Sequence, residues 1–473
     1  MQNKHRWLPV WCTAALMVFI GAFAFIGSPT TVEAQAGPTA TPTDRLWLAY
    51  AATRDALEEK FSVDLNIVQR WDFEQVEFRN GIDSCVTFEN PAEARALYFG
   101  WRFLITDLFG RRYEGRASFD TTLITACDQI TDDTTGSTAS TAAPAAETGN
   151  LPAPVAGSGA TGAFELGGHY LEMNANTVAI MRSAGMSWAK TQIRYSLGAD
   201  PAIVAGAINA AHANGFKILL GVVGEPSQMG DYNAYIASYA QFVAGAASLG
   251  ADAIEIWNEP NIDREWPAGS INGGTYTQLL AASFNAIKGA NSSTLVISGA
   301  PAPTGFFGAA GCGSGGCNDD VFMQQMAQAG AASYLDCVGL HYNEGIISPT
   351  QNSADPRGSY PTYYFSSMLA RGYNPFGGKP VCFTELGYLS PEGFASPLPA
   401  SFGWAADTSL AEHASWLAGA ASAAAQSGRV RLMIIWNVDF PFYTATDPMG
   451  GYAIYRPDGS CAACSQLRSV MGG

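Results

Sequence analysis

From about residue 161 to the C-terminus, short apolar runs alternate with alanine-rich stretches, and this alternation limits the available folds more than any other feature. The runs read as strands at Phe164–Gly167, Trp188–Tyr195, Lys217–Val223, Ala253–Glu259, Leu295–Gly299, Asp336–Tyr342, Val381–Leu386 and Leu432–Val438. Helical patterns fall between them, as at Tyr232–Leu249, Tyr276–Ala290, Val321–Ala331, Tyr363–Arg371 and Leu410–Gln426. Eight strands, most joined by a crossover helix within about 310 residues, predict an α/β fold of the (β/α)8 TIM-barrel type over 161–473. A doubly wound open sheet is the competitor, but it wants a glycine-rich nucleotide turn after an early strand, and the sequence has none.

The preceding third is organised differently. Residues 1–36 carry Lys4 and Arg6, then an uncharged, mostly apolar stretch from Trp7 to Gly27, then Ala34-Gln35-Ala36, the pattern of a signal peptide or an uncleaved membrane anchor. Either reading puts the rest of the chain outside the cytoplasm, secreted or tethered to the outer face of a membrane. Residues 37–130 read as a small α+β accessory module, with a helical pattern at Leu46, Leu48, Ala51 and Leu57 and strand-like runs around Ala96–Ile105 and Arg112–Ala117. Residues 131–160 are almost entirely Thr, Ser, Ala, Gly, Pro and acidic, which predicts a disordered linker.

Nine cysteines suit an exported chain, and without Cys12 eight remain. Cys85 and Cys127 are expected to bridge within the module, and Cys312 and Cys317 to close a small loop. Cys461 and Cys464 read as a tail disulfide, since no second Cys pair or nearby His completes a metal site. Cys337 and Cys382 fall in two predicted strands and read as buried thiols. A formal net charge of −16 argues against nucleic acid or anionic lipid as partner and disfavours an acidic polysaccharide.

Function in such a barrel sits at the C-terminal ends of its strands. Trp257-Asn258-Glu259-Pro260-Asn261 closes the fourth predicted strand, and Val381-Cys-Phe-Thr-Glu-Leu-Gly-Tyr388 puts Glu385 at the end of the seventh. Strands four and seven face each other across the mouth, so two carboxylates there can flank one bound sugar. Cleavage of a glycosidic bond uses such a pair, one carboxyl protonating the leaving oxygen while the other attacks the anomeric carbon or activates a water.

The Asn-Glu-Pro at strand four and the Thr-Glu-Leu-Gly at strand seven resemble glycoside hydrolase clan A, the retaining (β/α)8-barrel glycosidases that act mostly on β-linked glycans. The resemblance covers the C-terminal two-thirds of the chain. It implies Glu259 as acid/base, Glu385 as nucleophile and Asn258 as the ligand of the hydroxyl beside the anomeric carbon, with no cofactor and no metal. Further substrate-binding candidates are Arg194, expected to hydrogen-bond the nucleophile, and His341 and Tyr342 at strand six, of which His341 is favoured as the inward one. Trp436 is expected as an aromatic floor under the sugar, and His169 as a hydroxyl contact. Tyr388, Trp266, Trp404, Tyr443, Glu344 and Asp439 are weaker subsite candidates.

Each residue also has a plain structural reading: Arg194 as an ordinary ion pair, His169 as a hydrogen-bonded core histidine, Trp436 as packing, and Glu255 as a structural carboxylate deeper in strand four. The expected activity is that of a monomeric, secreted retaining hydrolase of β-linked oligo- or polysaccharides. An inactive barrel serving as a cell-surface glycan-binding protein is the alternative, disfavoured by the intact carboxylate pair. Metal-assisted hydrolysis ranks last, because His169 and His341 are the only suitable histidines.

Overall fold

In the computed structural model, the described residues are 45–78, 82, 85, 98–130, 151–155, 162–304, 307 and 311–472. The apolar segment Trp7–Gly27 and most of the linker therefore lie outside the described residues. No helix among the described residues is long and apolar enough to cross a membrane.

The first part is a helix, α1 (Arg45–Phe61), laid on a four-stranded antiparallel meander of β1 (Arg70–Phe78), β2 (Tyr98–Thr106), β3 (Arg112–Ser118) and β4 (Ile124–Ile130). Its core is aromatic, with Tyr50 stacked on Trp71 and edge-on to Phe103. Cys85 and Cys127 are bridged within this part.

The second part is an eight-stranded parallel sheet wrapped into a barrel. Its strands are β5 (Glu165–His169), β6 (Trp188–Arg194), β7 (Lys217–Val223), β8 (Ala253–Ile256) and β9 (Leu295–Ser298), then β12 (Val338–Gly345), β13 (Val381–Tyr388) and β14 (Val430–Ile435). Between β9 and β12 a two-residue hairpin, β10 (Cys312–Gly313) and β11 (Gly316–Cys317), is clasped by the Cys312–Cys317 disulfide. The ring closes between β9 and β12 through a parallel bridge of Ile297 with Cys337 and a bond from the Ser298 amide to the Cys337 carbonyl. The helices are α2 (Ala175–Ser183), α3 (Ala205–Ala213), α4 (Tyr232–Ser248), α5 (Gly273–Ala290), α6 (Asp319–Gln328), α7 (Phe365–Tyr373), α8 (Leu410–Ser427) and α9 (Cys464–Val470).

Alternation along the strands sorts side chains into two cores. Leu219, Ala253, Ile297, Cys337, Cys382, Leu432 and Trp188 fill the barrel, while their outward neighbours, such as Ile254, Leu340 and Phe383, meet the helices. Cys337 and Cys382 are bridged inside the barrel, not free thiols as the sequence suggested. Periodicity tells that a residue is inward; that two inward cysteines meet at a Cα separation of 5.7 Å depends on the β12–β13 register, where Gly339 pairs with Cys382. The tail pair Cys461–Cys464 is bridged as expected, and four disulfides fit an oxidising, extracytoplasmic compartment.

Residues 151–155 also depart from the linker expectation, because they are seated on the barrel. The Asn285 side chain bonds both the Val155 amide and the Ala153 carbonyl, and the Tyr334 hydroxyl donates to Pro152. The polar composition predicts disorder, but it cannot register side chains elsewhere in the chain that satisfy this backbone.

The meander docks on α6 and α7 through buried polar groups. Arg371 Nε donates to the Gln69 carbonyl at 2.7 Å while its Nη1 pairs with Asp319 at 2.5 Å. Ser367 donates to the Val68 carbonyl, Arg70 pairs with Asp320, and Ile67 packs on Tyr363 and Tyr364. Removing one member of a buried ion pair strands the other charge away from water. Arg371→Met is therefore expected to cost about 3 kcal/mol or more, read as a lower midpoint in denaturant unfolding. An unchanged midpoint would show that this contact does not hold the two parts together.

Candidate active site

Two local departures from strand geometry put the carboxylates where they are. Strand β8 stops at Ile256, and Trp257 takes a left-handed backbone conformation with φ of 75°. That conformation is costly for a residue with a Cβ and persists only where the surroundings impose it. Here the Trp257 indole swings outward among Tyr235, Tyr239 and Trp266, so Asn258 and Glu259 turn to the mouth of the barrel. On β13, Phe383 pairs with Leu340 but Glu385 pairs with His341, and against β14 Phe383 and Leu386 pair with Met433 and Ile435. One residue is extra on β13 against both neighbours, a β-bulge at Thr384 and Glu385. Strict alternation from the inward Cys382 would point Glu385 at the helices; the bulge re-aims it inward.

The side chains that meet there form one buried charged network. Glu259 Oε1 lies 3.1 Å from His341 Nδ1, and Glu385 Oε2 lies 3.8 Å from the same nitrogen. The nearest oxygens of the two carboxylates are thus no more than about 7 Å apart. Glu385 Oε1 is 3.3 Å from Lys190 Nζ and 3.8 Å from His169 Nδ1. Lys190 also pairs with Glu255 at 2.9 Å, both side chains wholly buried, and donates to the Thr384 carbonyl in the bulge. On the other side, Arg264 closes on Glu259 Oε2 although its side chain is 71% exposed. Glu265 accepts from Asn258 Nδ2 and from the Glu259 amide, each at 2.9 Å.

These neighbours set the protonation states. Burial works against charge on His341, but Glu385, the bond to Glu259 and Glu255 together raise its pKa above the ordinary imidazole value. Burial would raise Glu259, yet His341 and Arg264 hold it below the usual carboxylate range. His169 goes the other way, because burial and the positive Lys190 and His341 keep it neutral. Lys190 stays charged despite burial because Glu255 and Glu385 flank it.

The structure corrects several expectations. Arg194 is exposed at the end of β6, and the cation on Glu385 is Lys190. The two share a strand face, but four residues of rise carry Arg194 roughly 13 Å further toward solvent. Tyr342 faces outward, donating to the Tyr363 carbonyl and packing on Phe365 and Tyr388, so His341 alone faces the barrel axis. Tyr388 and Trp266 belong to the same outer layer. Asp439 bonds the amides of Leu171 and Glu172 and the Thr177 hydroxyl, which ties β14 to the start of α2. Trp436 is half-buried and meets His169 edge-on, their rings 4.7 Å apart. Glu344, near the end of β12, accepts from Thr362, and burial pushes its carboxyl up to about 7.

Lys190, Glu265 and Arg264 are absent from the sequence-based candidates. Lys190 left a faint signal, a lysine two residues after Trp188 on the inward face of a predicted barrel strand, where it can be buried only beside a carboxylate. Arg264 and Glu265 lie in a polar loop and left none.

No protein-family model matches the chain, and no curated protein matches it. Among solved structures, it is similar to a family 39 glycoside hydrolase from the gut symbiont Bacteroides cellulosilyticus WH2, with 16% identity, 79% of this chain and 70% of that chain covered, and a TM-score of 0.46. It is also similar to a GH5-4 broad specificity endoglucanase from Clostridium acetobutylicum, with 16% identity, 64% and 90% covered, and a TM-score of 0.43. A third is Thermotoga maritima Cel5A in complex with mannotriose, with 14% identity, 64% and 97% covered, and a TM-score of 0.39.

The opposed histidine shifts give a spectroscopic expectation. In imidazole nitrogen NMR, His341 keeps the imidazolium pattern above pH 6.5, while His169 stays neutral below it. Because the folded pKa of His341 is raised, its charge contributes stability that is complete below about 6.5 and fades as pH rises through the folded value. The stability margin of the wild type over His341→Gln should therefore shrink with rising pH. A His341 that titrates at or below 6.5 would refute the assignment.

Proposed function

We propose that the protein is a retaining glycoside hydrolase of β-linked glycans, with Glu385 as nucleophile and Glu259 as acid/base. The observation that carries this reading is the single His341 nitrogen contacting both carboxylates. It bounds their nearest oxygens to about 7 Å, close enough for both carboxyls to flank one glycosidic bond. The clan A resemblance of the Asn-Glu-Pro and Thr-Glu-Leu-Gly motifs supports it as well.

The electrostatics suit a double displacement. Glu385 must attack as a carboxylate, and Lys190 beside Oε1 stabilises that charge while leaving Oε2 directed toward the His341 side. Glu259 must deliver a proton, yet in the free protein Arg264 and His341 favour its ionised form. The transferable proton then resides on His341 Nδ1, 3.1 Å from Glu259 Oε1. A sugar entering the mouth displaces the exposed Arg264 arm. Without that cation, burial dominates, Glu259 takes the proton from His341, and passes it to the leaving oxygen as Glu385 bonds the anomeric carbon. In the second half, Glu259 removes a proton from water, which displaces Glu385 and restores the configuration. Trp436 and His169 offer an apolar face and a ring nitrogen beside the nucleophile for the bound sugar.

Glu385→Ala should lower turnover of an activated aryl β-glycoside by at least about 10⁴-fold, and azide should restore it with an α-glycosyl azide as product. No rescue, or a β product, would remove Glu385 from the nucleophile role. A reducing-end assay on xylan, mannan, β-glucan and galactan identifies which glycan is cut.

A further inference from the structure

Three consecutive residues of the strand-four motif are tied to one side chain and its backbone. Glu265 Oε1 accepts from Asn258 Nδ2 at 2.9 Å, Glu265 Oε2 accepts from the Glu259 amide at 2.9 Å, and the Glu265 carbonyl accepts from Trp257 Nε1 at 2.9 Å. Glu265 is itself buried, and the same loop residue therefore faces the motif where its backbone leaves strand geometry at Trp257. The other end of the Asn258 amide is different. Its Oδ1 is buried and has no hydrogen-bond partner among the described residues. A buried acceptor without a donor is costly unless something else supplies one.

We propose that Glu265 is a positioning residue that fixes the orientation of the Asn258 amide, so that Asn258 offers its oxygen, not its nitrogen, to the bound sugar. The argument is one of donor and acceptor inventory. Burial and the neighbouring Glu259 raise the Glu265 pKa, but both of its oxygens accept here, Oε1 from Asn258 and Oε2 from the Glu259 amide; toward such a carboxylate the amide nitrogen must face in and the amide oxygen away. The group that satisfies Asn258 Oδ1 is then a donor, a sugar hydroxyl oriented with its hydrogen toward Asn258. Glu265 also fixes the Glu259 backbone through Oε2, so orienting the hydroxyl contact and placing the neighbouring carboxylate are one act. This deepens the glycosidase reading and rests on it for its kinetic consequence, but not for the amide orientation itself.

Glu265→Gln separates the possibilities because it changes hydrogen-bond capacity at nearly constant shape. The glutamine oxygen can still accept from the Glu259 amide, but its NH₂ then faces Asn258 and forces that amide to turn over, presenting NH₂ where the oxygen stood. Two readouts follow. In the ¹⁵N–¹H spectrum, the Asn258 side-chain NH₂ should move to a new shift in the variant, and its downfield charge-assisted component should disappear, with Tm within a few degrees of wild type. In kinetics on an aryl β-glycoside, kcat should fall about tenfold to a hundredfold with a smaller change in KM. In the Asn258→Ala background, the same Glu265→Gln change should cost less than about threefold, because it acts through Asn258.

An unmoved Asn258 signal overturns the proposal, as does an equal kinetic loss with and without Asn258, which is what a merely structural residue would give. A signal that moves in the variant while the wild type hydrolyses no glycoside leaves the orientation role standing and removes the glycosidase reading instead.

Discussion

The ion pair between Lys190 and Glu255, wholly enclosed in the barrel, is the interaction on which the site depends. Below it the barrel is filled by apolar side chains and the Cys337–Cys382 bridge; above it charged and polar groups converge on the mouth. A buried ammonium is tolerated only when carboxylates meet it in good geometry, and a buried carboxylate only when a cation does. Lys190 answers both demands, since it touches Glu255, Glu385 and the carbonyl of the bulged Thr384. His341 performs the same task from the opposite wall between Glu255, Glu259 and Glu385. Each charge is held by at least two others, so the carboxylates have little freedom to drift.

Such a network is more demanding than an apolar core, because partial satisfaction is worse than none. The two backbone irregularities are where that demand is met. The left-handed Trp257 lets a large indole join the outer aromatic layer while its chain neighbours turn to the mouth, and the β13 bulge turns Glu385 from the helix side to the axis. In both places the strand departs from ideal geometry within two residues of a proposed catalytic carboxylate. The outer layer holds the departures in place, since Tyr239 bonds the Trp257 amide and Leu386 and Tyr388 return to the core beyond the bulge.

Away from the mouth, the same economy recurs in the docking of the N-terminal meander. Its last loop residues before β1, Val68 and Gln69, lend backbone carbonyls to Ser367 and Arg371, and Arg70 adds a cation to Asp320. Asp319 and Asp320 open α6, where acidic groups suit the helix N-terminus, and the two arginines neutralise what the helix dipole does not. The meander is thus joined to the barrel through paired charges beside an apolar cluster in which Ile67 and Leu108 meet Ile347, Tyr360, Tyr363 and Tyr364.

How much of this was legible in the sequence differs from element to element. The eight strands could be read from apolar runs of the right length, and the barrel from their alternation with helices, because both are periodic and local. Glu259 and Glu385 could be read as a facing pair because strand ends four and seven lie opposite each other in any such barrel. His341 could be preferred to Tyr342 only by analogy, and Lys190, in the middle of a strand, lies outside a search confined to strand ends. What the sequence by itself determined was the architecture and the meeting of Glu259 and Glu385 at the barrel mouth. The tertiary structure alone decided which cation serves Glu385, which cysteines pair inside the barrel, and that Glu265 and Arg264 reach back to the motif. Those are choices between residues far apart in the chain, and they turn on register, a bulge of one residue and the reach of single side chains, none of which leaves a period in the sequence.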